Sequence, residues 1–203
     1  MGNLRSVYKS VAQYCSQTVL SSRIEDVMKA DKLILPGVGQ FAKGMANLEE
    51  TGLRSALEEK VLMQGAPILG ICLGMQLFTE HSEEGDAKGL GWIEAKTRKF
   101  DASSVSNSHF KVPHMGWNTL EIQVNNPIYA GLSDESELYF CHSYYVECSD
   151  QSIISTKCHY GLEFCASIEQ GNIYGMQFHP EKSHEEGARL IKNFIKIAVP
   201  ERA

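Results

Sequence analysis

A chain of 203 residues that is 43% hydrophobic and 22% charged carries enough apolar material for one core, so residues 1–203 read as a single domain. Its net charge of −6, with no run of Lys or Arg, argues against a nucleic-acid partner held through phosphates. No stretch is apolar for long enough to cross a membrane, and Met1-Gly2-Asn3-Leu4-Arg5-Ser6 has no signal core, which together favour a cytoplasmic protein without a membrane partner.

In that compartment the six cysteines (Cys15, Cys72, Cys141, Cys148, Cys158, Cys165) are expected as thiols rather than disulfides. Cys141-His142 and Cys158-His159 invite a zinc reading. Neither has the C-x-x-C or H-x-x-x-H spacing of a ligand set, so no metal and no cofactor is expected.

Taken in order, Asn3 can cap a helix through Leu4, Val7, Tyr8 and Val11, whose spacing makes one apolar stripe. Val19 and Leu20 suggest a short strand, and Ile24 to Met28 a helical turn. Asp31 to Gly39 reads as a buried strand running into a loop, and Phe41 to Glu59 as two helical patterns broken near Thr51-Gly52. The loop Gly37-Val38-Gly39 lacks the spacings of a dinucleotide or phosphate loop. It does present backbone N–H groups at the carboxyl end of a strand, where ligands sit in open α/β sheets. Beside a catalytic strand it would be half of an oxyanion hole; otherwise it is an ordinary strand-to-helix turn.

Pro67 to Phe78 is the most informative stretch. An apolar run ends in Gly70-Ile71-Cys72-Leu73-Gly74 and continues at helical spacing, which predicts a buried strand, a sharp elbow and a helix. A thiol at such an elbow stands above a helix N-terminus, where free N–H groups favour the thiolate, and the Leu73 N–H can serve an oxyanion. Gly70 and Gly74 allow close packing of helix on strand. The plainer alternative is a small buried Cys ending a core strand.

From Leu90 onward the segments shorten. Gly91 to Phe100, Gly116 to Ile122, Leu138 to Phe140, Ile153 to Cys158 and Ile173 to Phe178 read as strands added antiparallel to the sheet, and Asp101 to His109, rich in Ser, as a loop. Ser183 to Ala198 closes the chain with an amphipathic helix. The fold class is α/β: an open, mostly parallel twisted sheet with helices on both faces and antiparallel additions in the C-terminal half, a flavodoxin-like arrangement.

Gln177-Phe178-His179-Pro180-Glu181 leaves the last strand. His179 and Glu181, two apart in extended chain, share a face, and a carboxylate beside an imidazole fixes its tautomer. A Cys elbow and a His–acid pair are complementary parts of one chemistry.

Gly70-Ile-Cys72-Leu-Gly74-Met-Gln76, with Gln177-Phe-His179-Pro-Glu181 far downstream, resembles the class I, triad-type glutamine amidotransferases. The resemblance implies Cys72 as nucleophile, His179 as base and Glu181 as its partner. It also implies Gln76, Ser143 and Tyr144 around the amino and carboxylate groups of glutamine, and the Gly37-Val38 and Leu73 amides at the oxyanion. Val38 would be a switch, set when a synthase engages the loop. More narrowly, Gly2 to Val7, Leu35 to Gly39, Pro113-His114-Met115-Gly116-Trp117-Asn118 and Tyr139 to Tyr144 are similar to the glutaminase subunits of imidazole glycerol phosphate synthases. That likeness implies a (β/α)8-barrel cyclase subunit as partner in histidine biosynthesis, met by Asn3, Met115, Trp117, Tyr139 and Lys182. Relatives of this kind begin with a short apolar strand and an Asp-Tyr-Gly-like turn before Gly-Asn, whereas this sequence starts inside that turn: either a core strand belongs ahead of Met1 or this chain differs from them there. Three rivals remain: the same glutaminase feeding another synthase, such as a sugar-amidinating enzyme; an α/β cysteine peptidase; and a scaffold that has lost the chemistry.

Overall fold

The computed structural model describes residues 2–101, 103, 110–124 and 126–199, with main chain alone for Gly2 and Asn3. Most of the Ser-rich stretch Asp101 to His109 therefore lies outside the described residues. Helix α1 (Gly2–Ala12) buries Val7 and Val11, whereas Leu4 and Tyr8 of the expected stripe are each 39% exposed, so the buried face is narrower than the spacing suggests. It starts at Gly2, so Asn3 lies inside the helix and is not its cap, and the side chain of Asn3 is outside the described residues. Val19 and Leu20 form no strand. They are 70% and 52% exposed, and two apolar residues with no neighbouring strand to pair have no ladder to join.

After α2 (Ile24–Lys29) come β1 (Leu33–Gly37), α3 (Phe41–Glu50) and α4 (Leu53–Glu58), which runs on as a π-helical turn (Glu59–Met63). Gly52, at φ 70°, makes the predicted break between α3 and α4, since a residue without Cβ enters the left-handed region at little cost. Strand β2 (Ile68–Cys72) is buried along its whole length and turns directly into the short α5 (Leu73–Gln76). The second half supplies β3 (His81–Ser82), β4 (Ala87–Lys88), β5 (Ala95–Lys99), β6 (His114–Thr119), β7 (Glu121–Ile122), β8 (Glu137–His142), β9 (Tyr144–Cys148), β10 (Ile154–Tyr160), β11 (Leu162–Gln170), β12 (Ile173–Met176) and α6 (His184–Lys196).

The sheet runs β1-β2-β12-β11-β9-β5-β3-β4, with β10 also on β11 and β7 on β10. Its centre is parallel: β1 pairs β2 with Gly37 opposite Cys72, and β2 pairs β12 with Met176 opposite Ile71. Most of the additions are antiparallel, and β6 and β8 form a separate two-stranded sheet in which Trp117 faces Tyr139. Strands β9 and β11 are absent from the expected elements. They are mixed in sequence, and β11 is buried through Phe164, Cys165, Ala166, Ser167 and Ile168 because strands and helices cover it on both faces, an environment that leaves no alternation to read.

Two apolar cores divide along the sheet. Phe41, Met45, Leu48, Leu57 and Val61 of the α3–α4 side pack with Ile68 and Ile168; Val7 and Val11 of α1 and Leu190, Ile191 and Phe194 of α6 pack with Leu69, Ile71 and Tyr174. The three α6 residues are at most 1% exposed, and each stabilises the layer by about 1.5–3 kcal/mol. Helices thus cover both faces, as an α/β sheet requires.

Candidate active site

The elbow is a strained one. Cys72 has φ 55° and ψ −110°, a conformation L side chains seldom adopt, and close packing holds it there. A Cβ on Gly74 would stand 1.8 Å from the Leu35 carbonyl oxygen, and one on Gly70 would stand 2.6 Å from the Met75 nitrogen. Only glycine lets α5 lie this close to β1 and β2, which fulfils the spacing-based expectation.

Cys72 is buried, its Sγ receives a hydrogen bond from Gln177 Nε2 at 3.7 Å, and the Leu73 N–H is near enough to favour its anion. Burial pushes the thiol up to about 12, against the lowering effect of that Leu73 N–H. The expectation that the helix N-terminus would favour the thiolate is thus reversed: α5 has four residues, too few for a strong dipole, and desolvation outweighs it. Leu73 N–H, expected at an oxyanion, thus also acts on the sulfur.

His179 follows β12 and is 2% exposed. Its main-chain N–H donates to the Tyr139 carbonyl at 2.8 Å, and its carbonyl accepts from the Ser183 hydroxyl at 2.7 Å. Nδ1 lies 2.9 Å from Glu181 Oε1, whose side chain has no exposure. A carboxylate only accepts, so Nδ1 carries the hydrogen, and in the neutral ring this is the tautomer that leaves the Nε2 lone pair free. The second oxygen, Glu181 Oε2, is buried without a partner among the described residues. No hydrogen bond joins His179 to Cys72 among the described residues. The charge of Glu181 reaches the Cys72 thiol and opposes its ionisation.

Gln76 is buried, and its Nε2 donates to the Tyr144 carbonyl at 3.0 Å and to Gln177 Oε1 at 2.9 Å. Ser143, between β8 and β9, is half-buried, and its carbonyl accepts from the Phe100 N–H at 3.0 Å. The Gly37 end of β1 does neighbour the elbow, since a Cβ there would fall 2.8 Å from Leu73 Cβ; Val38, the next residue, is 53% exposed. Among the residues expected to meet a partner, Met115 and Trp117 are 61% and 42% exposed, which removes core packing as their role. Trp117 stacks on His184 (4.8 Å) and meets Tyr139 edge-on (5.8 Å), and Lys182 Nζ sits 5.4 Å over the Tyr139 ring. Tyr139 in turn is 6.4 Å from the His179 ring.

Two further features touch this site that the motif reading left without a role. Gln177 enters the motif only as its first residue, although its spacing of two from His179 in extended chain puts it on the same face. His114 and His142, buried and 3.1 Å apart, connect β6 and β8 to the Tyr144 carbonyl through His142 Nδ1 at 2.7 Å. Nothing in local spacing pairs them; the β6–β8 register does. Among the described residues no three His, Cys, Asp or Glu side chains converge as a metal site, and no helix is long and apolar enough to cross a membrane.

Comparison with known proteins supplies the family. The chain is 48% identical over 198 residues to the imidazole glycerol phosphate synthase subunit HisH 2 of Methanococcus maripaludis, covering 98% of this chain and 96% of that one. It is 47% identical to subunit HisH 1 of Campylobacter jejuni (strain RM1221) and 42% to subunit HisH 2 of Pseudomonas aeruginosa, each over 97% of this chain and 96% of the relative. Among solved structures, a glutamine amidotransferase superimposes with a TM-score of 0.72 at 17% identity, covering 94% of this chain and 91% of that one. The glutaminase domain of Trypanosoma brucei CTPS, with bound acivicin, gives 0.67 at 17% identity, over 98% and 90%. Residues 3–198 match the family described as glutamine amidotransferase class-I, and the chain belongs to that family.

Proposed function

We propose that this protein is the glutaminase subunit of an imidazole glycerol phosphate synthase, with Cys72 as nucleophile, His179 as general base and acid, and Glu181 as the group that orients it. One observation carries the reading: β2 and β12 run parallel and adjacent, so the thiol ending one and the imidazole–carboxylate pair leaving the other emerge at the same edge of the sheet.

Cys72 Sγ attacks the side-chain amide carbon of glutamine while His179 Nε2 takes the thiol proton. The C–N bond then breaks, and His179 returns the proton to the departing nitrogen, releasing ammonia and leaving a glutamyl thioester. Water deprotonated by His179 attacks that thioester and frees glutamate and the thiol. Gln76, Ser143 and Tyr144 hold the substrate's amino and carboxylate ends, and the Gly37-Val38 and Leu73 amides receive the oxyanion. The buried, protonated thiol and its open link to His179 make the free chain a slow glutaminase that a partner activates.

The partner in this reading is a (β/α)8-barrel cyclase subunit that uses the ammonia to make imidazole glycerol phosphate and AICAR. The exposed Met115 and Trp117, with Tyr139, Lys182 and Asn3, are the proposed docking residues; an exposed Trp–Met pair suits an interface anchor. The six free cysteines suit a cytoplasmic protein. Family membership displaces the peptidase reading. A second assignment of the acceptor draws on one fact: Methanococcus maripaludis has two subunits called HisH, 48% and 41% identical to this chain, so one genome can hold two such glutaminases. The same chemistry would then feed another synthase, such as a sugar-amidinating enzyme.

Glutamate release measured with and without the barrel subunit and its nucleotide ligand tests the proposal. A large partner-dependent rise that disappears in Cys72→Ala, while ammonia-fed synthesis persists, is the expected result. Glutamate release surviving Cys72→Ala would sink the assignment of the nucleophile.

A further inference from the structure

Hydrogen-bond chemistry around Gln76 leaves no freedom in how two side-chain amides are turned. The Tyr144 carbonyl only accepts, so the end of Gln76 that faces it at 3.0 Å must be the amino group, Nε2. That same Nε2 has a second hydrogen, and it meets the Gln177 side chain at 2.9 Å, where the partner must again be an acceptor, Oε1. Gln177 is thereby forced to turn its own amino group toward Cys72, and Nε2 stands 3.7 Å from Sγ. Both amides are buried, with Gln177 at 0% and Gln76 at 5% exposure. The main chain of Gln177 is itself pinned, its N–H donating to the Ala166 carbonyl of β11 at 2.9 Å. With both hydrogens of Gln76 committed, its carbonyl oxygen Oε1 has no donor among the described residues. An uncommitted acceptor at a glutamine site suits the one donor of the substrate that is charged at neutral pH, the α-ammonium group.

We infer that Gln177 is a positioning residue that sets the amide orientation of Gln76, so that Gln76 Oε1 recognises the α-ammonium of L-glutamine, while its own Nε2 donates to the Cys72 sulfur. The inference rests on the proposed glutaminase reading and adds a specificity determinant to it. With Gln177 removed, the second hydrogen of Gln76 loses its acceptor, the amide can rotate, and the substrate's ammonium loses a fixed partner. Separately, the sulfur loses a donor that favours its anionic form.

The test uses the full chain and two protecting ligands: L-glutamine, and glutaramate, which is glutamine without its α-amino group. Alkylation of Cys72 by iodoacetamide is followed by mass spectrometry of the Cys72 peptide, and protection is titrated with each ligand. In the unsubstituted protein L-glutamine protects at concentrations at least about tenfold lower than glutaramate does. In Gln177→Leu that advantage collapses toward equality. In Gln76→Ala it is already lost, and adding Gln177→Leu changes it no further. Alkylation without ligand slows in Gln177→Leu whether or not Gln76 is present. A merely structural role would weaken protection by both ligands equally and would add to the Gln76→Ala effect; either result overturns the inference, as does an undiminished advantage in Gln177→Leu. If circular dichroism shows Gln177→Leu to be unfolded, Gln177→Asn is read in its place. Its amide is one methylene too short to span Gln76 and Sγ, and the same pattern is expected. Failure of the underlying glutaminase reading shows separately, as no protection of the unsubstituted protein by L-glutamine, and overturns both.

Discussion

His142 donates its Nδ1 hydrogen to the main-chain carbonyl of Tyr144 across 2.7 Å, and that bond sets the protonation of a second histidine. With Nδ1 a donor, the Nε2 of neutral His142 must accept, so His114 Nδ1, 3.1 Å away, carries a hydrogen in its turn. His114 lies between the rings of Tyr160 (3.9 Å) and Phe140 (4.7 Å), in surroundings that solvate a cation poorly. Burial lowers His114 to about 4 and His142 to about 3.

Folded-state values below the free imidazole value mean that the unfolded chain binds more protons as pH falls. Stability is therefore fully present above about pH 6.5 and is lost progressively as pH falls toward 3. At about 1.4 kcal/mol per unit the pair accounts for several kcal/mol over that range. His114→Asn, whose Nδ2 can replace the donating Nδ1 without titrating, is expected to flatten the dependence. Denaturant midpoints measured between pH 7 and 5 check this, and an unchanged slope in the variant would show that His114 is not its source.

A thiol held near 12 by burial is almost wholly protonated at neutral pH. Alkylation of Cys72 by iodoacetamide in the free chain should rise about tenfold per pH unit from 7 to 10 and reach no plateau. A plateau below pH 8 would mean a preformed thiolate, against the environment described.

Glu181→Gln keeps an oxygen for His179 Nδ1 but removes the buried charge that stabilises the imidazolium. Loss of such a carboxylate costs about 10²–10⁴-fold in turnover, with little effect on KM, because the interaction strengthens only as the proton moves. Steady-state glutaminase assays with the partner present check this. Turnover within about twofold of the unsubstituted protein would remove Glu181 from the mechanism.

Gly74→Ala should be among the most damaging single-methyl changes in the chain. Its Cβ would meet the Leu35 carbonyl oxygen at 1.8 Å, a main-chain atom that cannot swing aside. A loss of about 3 kcal/mol or more is expected from chemical denaturation, or failure to fold. A cost below about 1 kcal/mol would show that α5 can move away from β1 freely.

How far the fold could be read from the string varied with the kind of signal. The elbow at Cys72 was legible because glycine placement and an apolar run are local, and α6 because Leu190, Ile191 and Phe194 repeat at helical spacing. Strand β11 was not, since burial on both faces erases the alternation that marks a strand, and β9, part-buried through Tyr144 and Tyr145 with Glu147 exposed, offered no clean alternation either. Val19 and Leu20 misled because apolar character without a pairing neighbour is no strand. In the site, Cys72, His179 and Glu181 stood out by motif, and Gln177 did not, because its meaning lies in what its two ends touch.

By itself the sequence determined the chemical types available: a thiol at a glycine-flanked turn, an imidazole two residues from a carboxylate, and an acidic surface without a basic run. Those properties are covalent or local, and survive any folding. Only the tertiary structure decided that desolvation outweighs the helix end at the thiol, that the Leu73 N–H faces sulfur, and that a carbonyl at Tyr144 orients the amide of Gln76 and, through it, that of Gln177. Dielectric surroundings and hydrogen-bond direction depend on atoms brought from distant parts of the chain, and no spacing along it encodes them.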